Sequence, residues 1–97
     1  MAVYVDDAYI TAGVAYRGRQ IKSRWCHLTA DSREELDLFA KRIGLRPQWI
    51  QASGTWREHY DLTEQRRAAA VKAGAIEVNW KEHVRTFLIP RKNRNQK

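Results

Sequence analysis

The chain reads as a small α/β domain, or α+β if strand directions mix: a short, mostly parallel sheet covered by about three helices. Three observations point there. Short apolar, strand-like runs alternate with helical patterns along the 97 residues. Three helix starts pair an N-capping side chain with a Glu three positions on. Two helical patterns close on Gly44 and Gly74, where a left-handed C-terminal cap belongs. A domain usually takes about 100–200 residues, so we expect one: residues 1–90 globular, and 91–97 a basic, flexible tail.

The elements follow in order. Ala2 to Val5 is an apolar run ended by Asp6-Asp7, and reads as a buried strand. Residues 9–22 read as irregular structure with a small hairpin about Arg17-Gly18. Arg24 to Leu28 is the next strand, with Trp25 and His27 on one face and Cys26 and Leu28 on the other. Ser32 with Glu35 is a capping box, Asp31 with Glu34 its shifted alternative, and Leu36, Phe39, Ala40 and Ile43 make the stripe of the helix that follows. Gln48 to Gln51 is a weak strand, restricted by Pro47. Asp61 with Glu64 opens an alanine-rich helix over 62–73, and Ala75 to Val78 follows Gly74 as a strand. Asn79 with Glu82 opens the last helix, whose stripe is Trp80, Val84, Phe87 and Leu88 and which Pro90 is expected to stop.

Composition narrows the class more than the activity. The net charge of +7 points to a polyanionic partner. Residues 91–97 hold four of the 18 basic residues and no acid, leaving 14 against 11 acids in residues 1–90, so part of the excess is the tail. A lone cysteine, Cys26, forms no internal disulfide and reads as a small core residue. With acids at positions 6 and 7 it leads us to expect no secretory signal and a cytoplasmic protein. No apolar run approaches the roughly 18 residues that a membrane span needs. P-loop, dinucleotide, Cys-x-x-Cys and His-Glu-x-x-His patterns are missing, which disfavours ATP use, a Rossmann cofactor and a zinc finger.

Polar residues cluster after the strands, and open α/β sheets bind ligands beyond the carboxyl ends of their strands. Asp6, Asp7, His27, Asp31, His59 and Asp61 would meet on one rim if the strands run parallel. Asp6, Asp7, Asp31, His59 and Asp61 are the expected metal ligands, for Mg²⁺, Mn²⁺ or Zn²⁺. Asp7, His27, His59 and Asp61 are the expected catalytic groups. Arg66 and Arg67, early in the following helix, and Trp56 with Arg57 in the preceding loop, are expected on substrate. Each has a plain structural role beside the functional one. Asp31 and Asp61 serve as caps, Asp6-Asp7 ends a strand, and His27 can be a satisfied core histidine. His83 reads as a surface residue on a helix flank, and Trp25 and Trp80 as core.

Four stretches together resemble a family of short bacterial and phage proteins grouped as a domain of unknown function. They are Val3 to Asp7, Trp25 to Asp31, His59 to Leu62, and Arg66 to Ala75. The resemblance spans residues 3–88 and implies a free-standing small domain, with the basic tail outside the shared region. It implies no activity.

Three functions follow from these readings. The first is a small metal-dependent hydrolase of phosphodiesters or nucleotides. The second is a non-catalytic nucleic-acid-binding module using the tail with Arg17, Arg19, Lys22, Arg24, Trp56 and Arg57. The third is a domain that modulates a protein partner. None involves a membrane.

Overall fold

The structure is a computed structural model and describes residues 2–95. Five strands, β1 (Val3–Val5), β2 (Ile10–Tyr16), β3 (Arg19–Ala30), β4 (Tyr60–Leu62) and β5 (Ile76–Glu77), form one mixed sheet. β3 is its spine. β2 pairs antiparallel with its first half, from Tyr16↔Arg19 to Ile10↔Trp25. β4 pairs antiparallel with Cys26 to Leu28, and β1 antiparallel with Leu28 to Ala30. Only β1 and β5 run parallel. The fold is therefore α+β, with mixed strand directions in place of a mostly parallel sheet. Its one long crossover, from β1 to β5, encloses most of the chain, whereas β2 returns into β3 through the two-residue turn Arg17-Gly18. Both turn residues have positive φ, 52° and 74°, as a tight hairpin turn requires.

The helices start where side-chain oxygens take free backbone N–H groups. α1 (Arg33–Arg42) opens on Ser32, whose Oγ accepts from Glu35 N at 3.2 Å and donates to Glu35 Oε1 at 2.9 Å. α2 (Glu64–Lys72) opens on Thr63, not Asp61. Thr63 Oγ1 accepts from Arg66 N at 3.2 Å, which places Asp61 inside β4 and free of capping duty. α3 (Trp80–His83) opens on Asn79, whose Oδ1 accepts from Glu82 N at 3.0 Å. It passes through a π-helical turn (Val84–Leu88) into α4 (Ile89–Asn95), giving a continuous helical rod. Pro90 does not end it. Ile89 N–H reaches Val84 O, five residues back, and the widened turn accommodates the ring that a regular α-turn excludes. Residues 91–95 are thus helical, and Arg91 is partly buried and donates to Ala30 O at 3.0 Å. The rest of the expected tail, 96–97, lies outside the described residues. Pro47–Trp49 is a 3₁₀ turn where a strand was expected, and only Gln51 bridges to His59.

Alternation divides the sheet into two faces. Val5, Cys26, Leu28, Tyr60 and Leu62 point to one side and are fully or almost fully buried. There they meet Leu36, Phe39, Ala40 and Ala70 of α1 and α2, and this is the core. Tyr4, His27, Thr29, His59 and Asp61 take the other side. The C-terminal rod crosses that side, and His83 and Phe87 pack against the Tyr4 ring at 5.0 and 5.1 Å between centroids.

Candidate functional site

The second face holds a cleft of about 190 Å³ between the sheet and the rod. All three histidines line it, with Asp6, Thr29, Trp56, Arg57 and Trp80. Register explains the convergence. His27 sits directly opposite Asp61 across the β3/β4 ladder, and His59 lies two residues before Asp61, on the same face. One ligand atom from each of His27, His59 and Asp61 falls within 4.8 Å of the other two.

Each of the two imidazoles is held at Nδ1. β1 ends at Val5 opposite Leu28, so the next residue, Asp6, meets His27. Asp6 Oδ1 accepts from His27 N at 2.9 Å, and Oδ2 lies 2.6 Å from His27 Nδ1. Burial alone pushes the Asp6 carboxyl up. Hydrogen bonds from the His27 ring, the His27 N–H and Ala8 N–H outweigh it and hold the group below the ordinary carboxylate range. An ionised carboxylate only accepts, so His27 Nδ1 carries the proton, which leaves Nε2 as the ring atom that a ligand can meet. His59 Nδ1 lies 2.6 Å from Arg57 O, a carbonyl that also only accepts. Its Nε2 lies 3.2 Å from Asp61 Oδ1. Burial lowers the His59 pKa, but the Asp61 carboxylate and the Arg57 carbonyl reverse that and raise it above its ordinary value.

Two imidazoles oriented by outer partners, plus one carboxylate, form a donor set suited to Zn²⁺ or a similar transition ion, with a position left for water or substrate. Mg²⁺ prefers oxygen-rich sites and fits it less well.

Four of the other expected site residues, Asp7, Asp31, Arg66 and Arg67, do not line the cleft. Asp7 Oδ1 accepts from Trp80 N at 2.7 Å and so helps to start α3. Asp31 is at the opposite end of β1 from Asp6, because an antiparallel β3 ends where β1 begins. It accepts from Ala2 N at 2.8 Å and from Tyr4 Oη at 2.7 Å. Arg66 turns away and donates to the Ile43 and Gly44 carbonyls at the end of α1. Arg67 supports the site from the core side, donating to Asp6 O at 2.8 Å and to Glu77 at 3.1 Å. Neither arginine lines the cleft. Trp56 and Arg57 do, and the Arg57 guanidinium and the Lys92 ammonium lie 5.8 and 5.4 Å from the Trp56 ring.

Two residues of the cleft, His83 and Trp80, carried no such expectation, and neither did the environments of Trp25 and Glu58 outside it. His83 is 7% exposed, not a surface group. Its Nε2 lies 2.9 Å from Thr29 Oγ1, its ring stacks on Phe87, and burial lowers its pKa. The sequence held a signal: His83 falls three residues after Trp80 and four before Phe87, on the apolar stripe. Trp80, expected in the core, stacks at 6.1 Å on His27 at the cleft. Trp25 is likewise only partly buried, and its Nε1 donates to Ala12 O. Glu58 is buried at 7% and joins Gly54 N, Arg33 and Arg91, which fixes the loop that presents Trp56 and Arg57. Nothing in its sequence neighbourhood signals that.

The fold and site define a small α+β domain with a histidine–carboxylate cleft on the open face of its sheet. The chain belongs to the family described as a protein of unknown function (DUF4031), whose model matches residues 3–89. No curated protein and no solved structure matches it. Among the described residues no helix is long and apolar enough to cross a membrane.

Proposed function

We propose that this protein is a small metal-dependent phosphodiesterase acting on nucleotides or nucleic acid, with His27, His59 and Asp61 as the metal ligands. The observation that carries the reading is the triad itself: donor atoms within 4.8 Å of one another, on a cleft, with each imidazole Nδ1 engaged by an outer acceptor. His27, His59 and Asp61 would hold the ion, and a Zn²⁺ there would supply Lewis-acid chemistry to a phosphoryl oxygen and to a water.

The chain does the rest. Asp6 fixes the His27 ring and its tautomer. The Arg57 carbonyl does the same for His59, and the Arg57 guanidinium, at the cleft, suits a phosphate oxygen. Trp56 and Trp80 offer faces for a base or sugar. His83 and Thr29 line the same cleft, and a neutral imidazole there adds no charge to compete with the metal. Overall, water adds to phosphorus, one P–O ester bond breaks, and the proton that the water gives up ends on the departing alkoxide.

The test is hydrolysis of bis(p-nitrophenyl) phosphate by protein freed of metal and reloaded with Zn²⁺ or Mn²⁺. Activity should vanish in EDTA, return on reloading, and be absent from His59→Ala and Asp61→Asn. Activity that persists in EDTA or in both variants rejects the reading.

A further inference from the structure

The cleft is smaller than the roughly 300–1,000 Å³ that usually encloses a whole ligand. A nucleotide substrate must therefore extend beyond it. One surface continues the cleft wall without a break. β3 runs through both, and alternation puts Arg19, Ser23 and Trp25 on the same side as His27 and Thr29. With β2 it forms a two-stranded ribbon about 24 Å long, given a rise of about 3.4 Å per residue. Among the described residues β2 pairs with β3 alone, and the molecule measures 42 Å along its longest axis against 27 and 24 Å across the others.

Charge says what this ribbon meets. Residues 10–24 contain Arg17, Arg19, Lys22 and Arg24 and no acid. Arg24 is neutralised by Glu64 of α2, at 2.7 Å. Arg19 and Lys22 are exposed, Arg19 on the side continuous with the cleft and Lys22 on the reverse. Trp25 stands between Arg19 and the cleft, partly exposed, with its Nε1 fixed by Ala12 O at 2.9 Å. A cation, then a fixed aromatic face, then a cleft with two more tryptophans is the layout that holds a single nucleic-acid strand: phosphates on cations, bases on rings.

We propose that the β2–β3 ribbon is a binding arm for single-stranded nucleic acid, laid along its cleft side so that one phosphodiester enters the cleft. This rests on the phosphodiesterase reading for what the cleft does, but the binding it requires does not depend on metal.

The experiment is fluorescence anisotropy of a labelled 20-nucleotide oligothymidine in EDTA, over a range of salt. Wild type should bind with log affinity falling linearly in log salt. Arg19→Glu should weaken binding about tenfold and make the slope shallower by about 0.7, one phosphate contact on a single strand. Lys22→Glu, with the same charge change on the reverse side, should cost about threefold or less. Both substitutions lie on an exposed ribbon, and matching thermal unfolding curves check that both variants fold. Equal losses in the two variants would mean net charge alone, and would overturn the proposal. So would absent binding, tighter binding of a duplex than of the single strand, or a ribbon-dependent dimer without affinity for the oligonucleotide. Because no metal is present, inactivity toward bis(p-nitrophenyl) phosphate would leave each of these outcomes readable.

Discussion

The two faces of the sheet are written by the same strands and obey different rules. On the core face, Val5, Leu28 and Leu62 are fully buried and are interchangeable in kind: any apolar side chain of suitable volume would serve. On the cleft face, Tyr4, His27, Thr29, His59 and Asp61 alternate with them, and each has a named polar or ring partner. Burial decides the first face; strand register decides the second. A shift of β4 by one residue along β3 would send His59 and Asp61 into the core, so the apolar face fixes the register that assembles the polar one.

The largest effect belongs to the core. Leu28→Ala, at a fully buried position, should cost about 2–5 kcal/mol in urea denaturation. Asp61→Asn, across the sheet and on a side chain 40% exposed, should cost under about 1 kcal/mol in metal-free protein while removing a proposed metal ligand. If the two variants unfold alike, the two faces do not obey separate rules.

Next is the partner behind the ligand. Asp6→Asn keeps the shape of the Asp6–His27 contact but removes its charge, and should weaken Zn²⁺ binding about 10–100-fold by competition titration. An unchanged affinity would reduce Asp6 to a strand-end hydrogen bond.

A smaller effect separates capping from ligation. Thr63→Ala should cost about 1 kcal/mol and leave metal affinity intact, since Thr63 caps α2. Asp61→Asn should do the reverse, and equal stability losses in the two variants would return Asp61 to the helix cap.

The smallest effect is on pH, and it splits the histidines by sign. In metal-free protein, NMR titration should place His59 above 6.5 and His83 below it. His83, with its pKa depressed by burial, contributes stability present above about pH 6.5 and lost as pH falls through its folded value. His59, raised by Asp61, contributes stability present below about pH 6.5 and lost as pH rises through its folded value. His83→Gln should therefore flatten the acid side of the melting-temperature profile, and Asp61→Asn the neutral side.

Much of this was legible in the sequence. Capping chemistry is local, so Ser32 and Asn79 open their helices as expected, and Arg17-Gly18 makes its turn. The alternation through Trp25, Cys26, His27 and Leu28 holds, with Cys26 and Leu28 buried. Pairing direction was not legible, because it depends on contacts distant in sequence. Parallel strands would have gathered the carboxylates on one rim. The antiparallel β1/β3 pair instead sends Asp31 to the far end of β1 and gives Asp6 to His27. Asp61 carried two expectations at once, site residue and helix cap, because an acid three residues before a Glu mimics a cap; Thr63, two residues on, is the one whose oxygen reaches the free N–H. Pro90 misled for a related reason, since a π-turn is a cooperative feature of the rod and has no single-residue signature.

Thermal unfolding of chelator-treated protein with Zn²⁺, Mn²⁺, Mg²⁺ or no ion, in wild type and His59→Ala, tests the proposed metal site. At a hundred times its Kd, an ion that binds only the folded state adds about 2.7 kcal/mol, which is about 10 °C or more for a domain of this size. The cleft predicts a saturable rise of that order with Zn²⁺, a weaker one with Mg²⁺, and none in His59→Ala. Melting temperatures that no ion moves, or a Zn²⁺ shift that survives in His59→Ala, would contradict it.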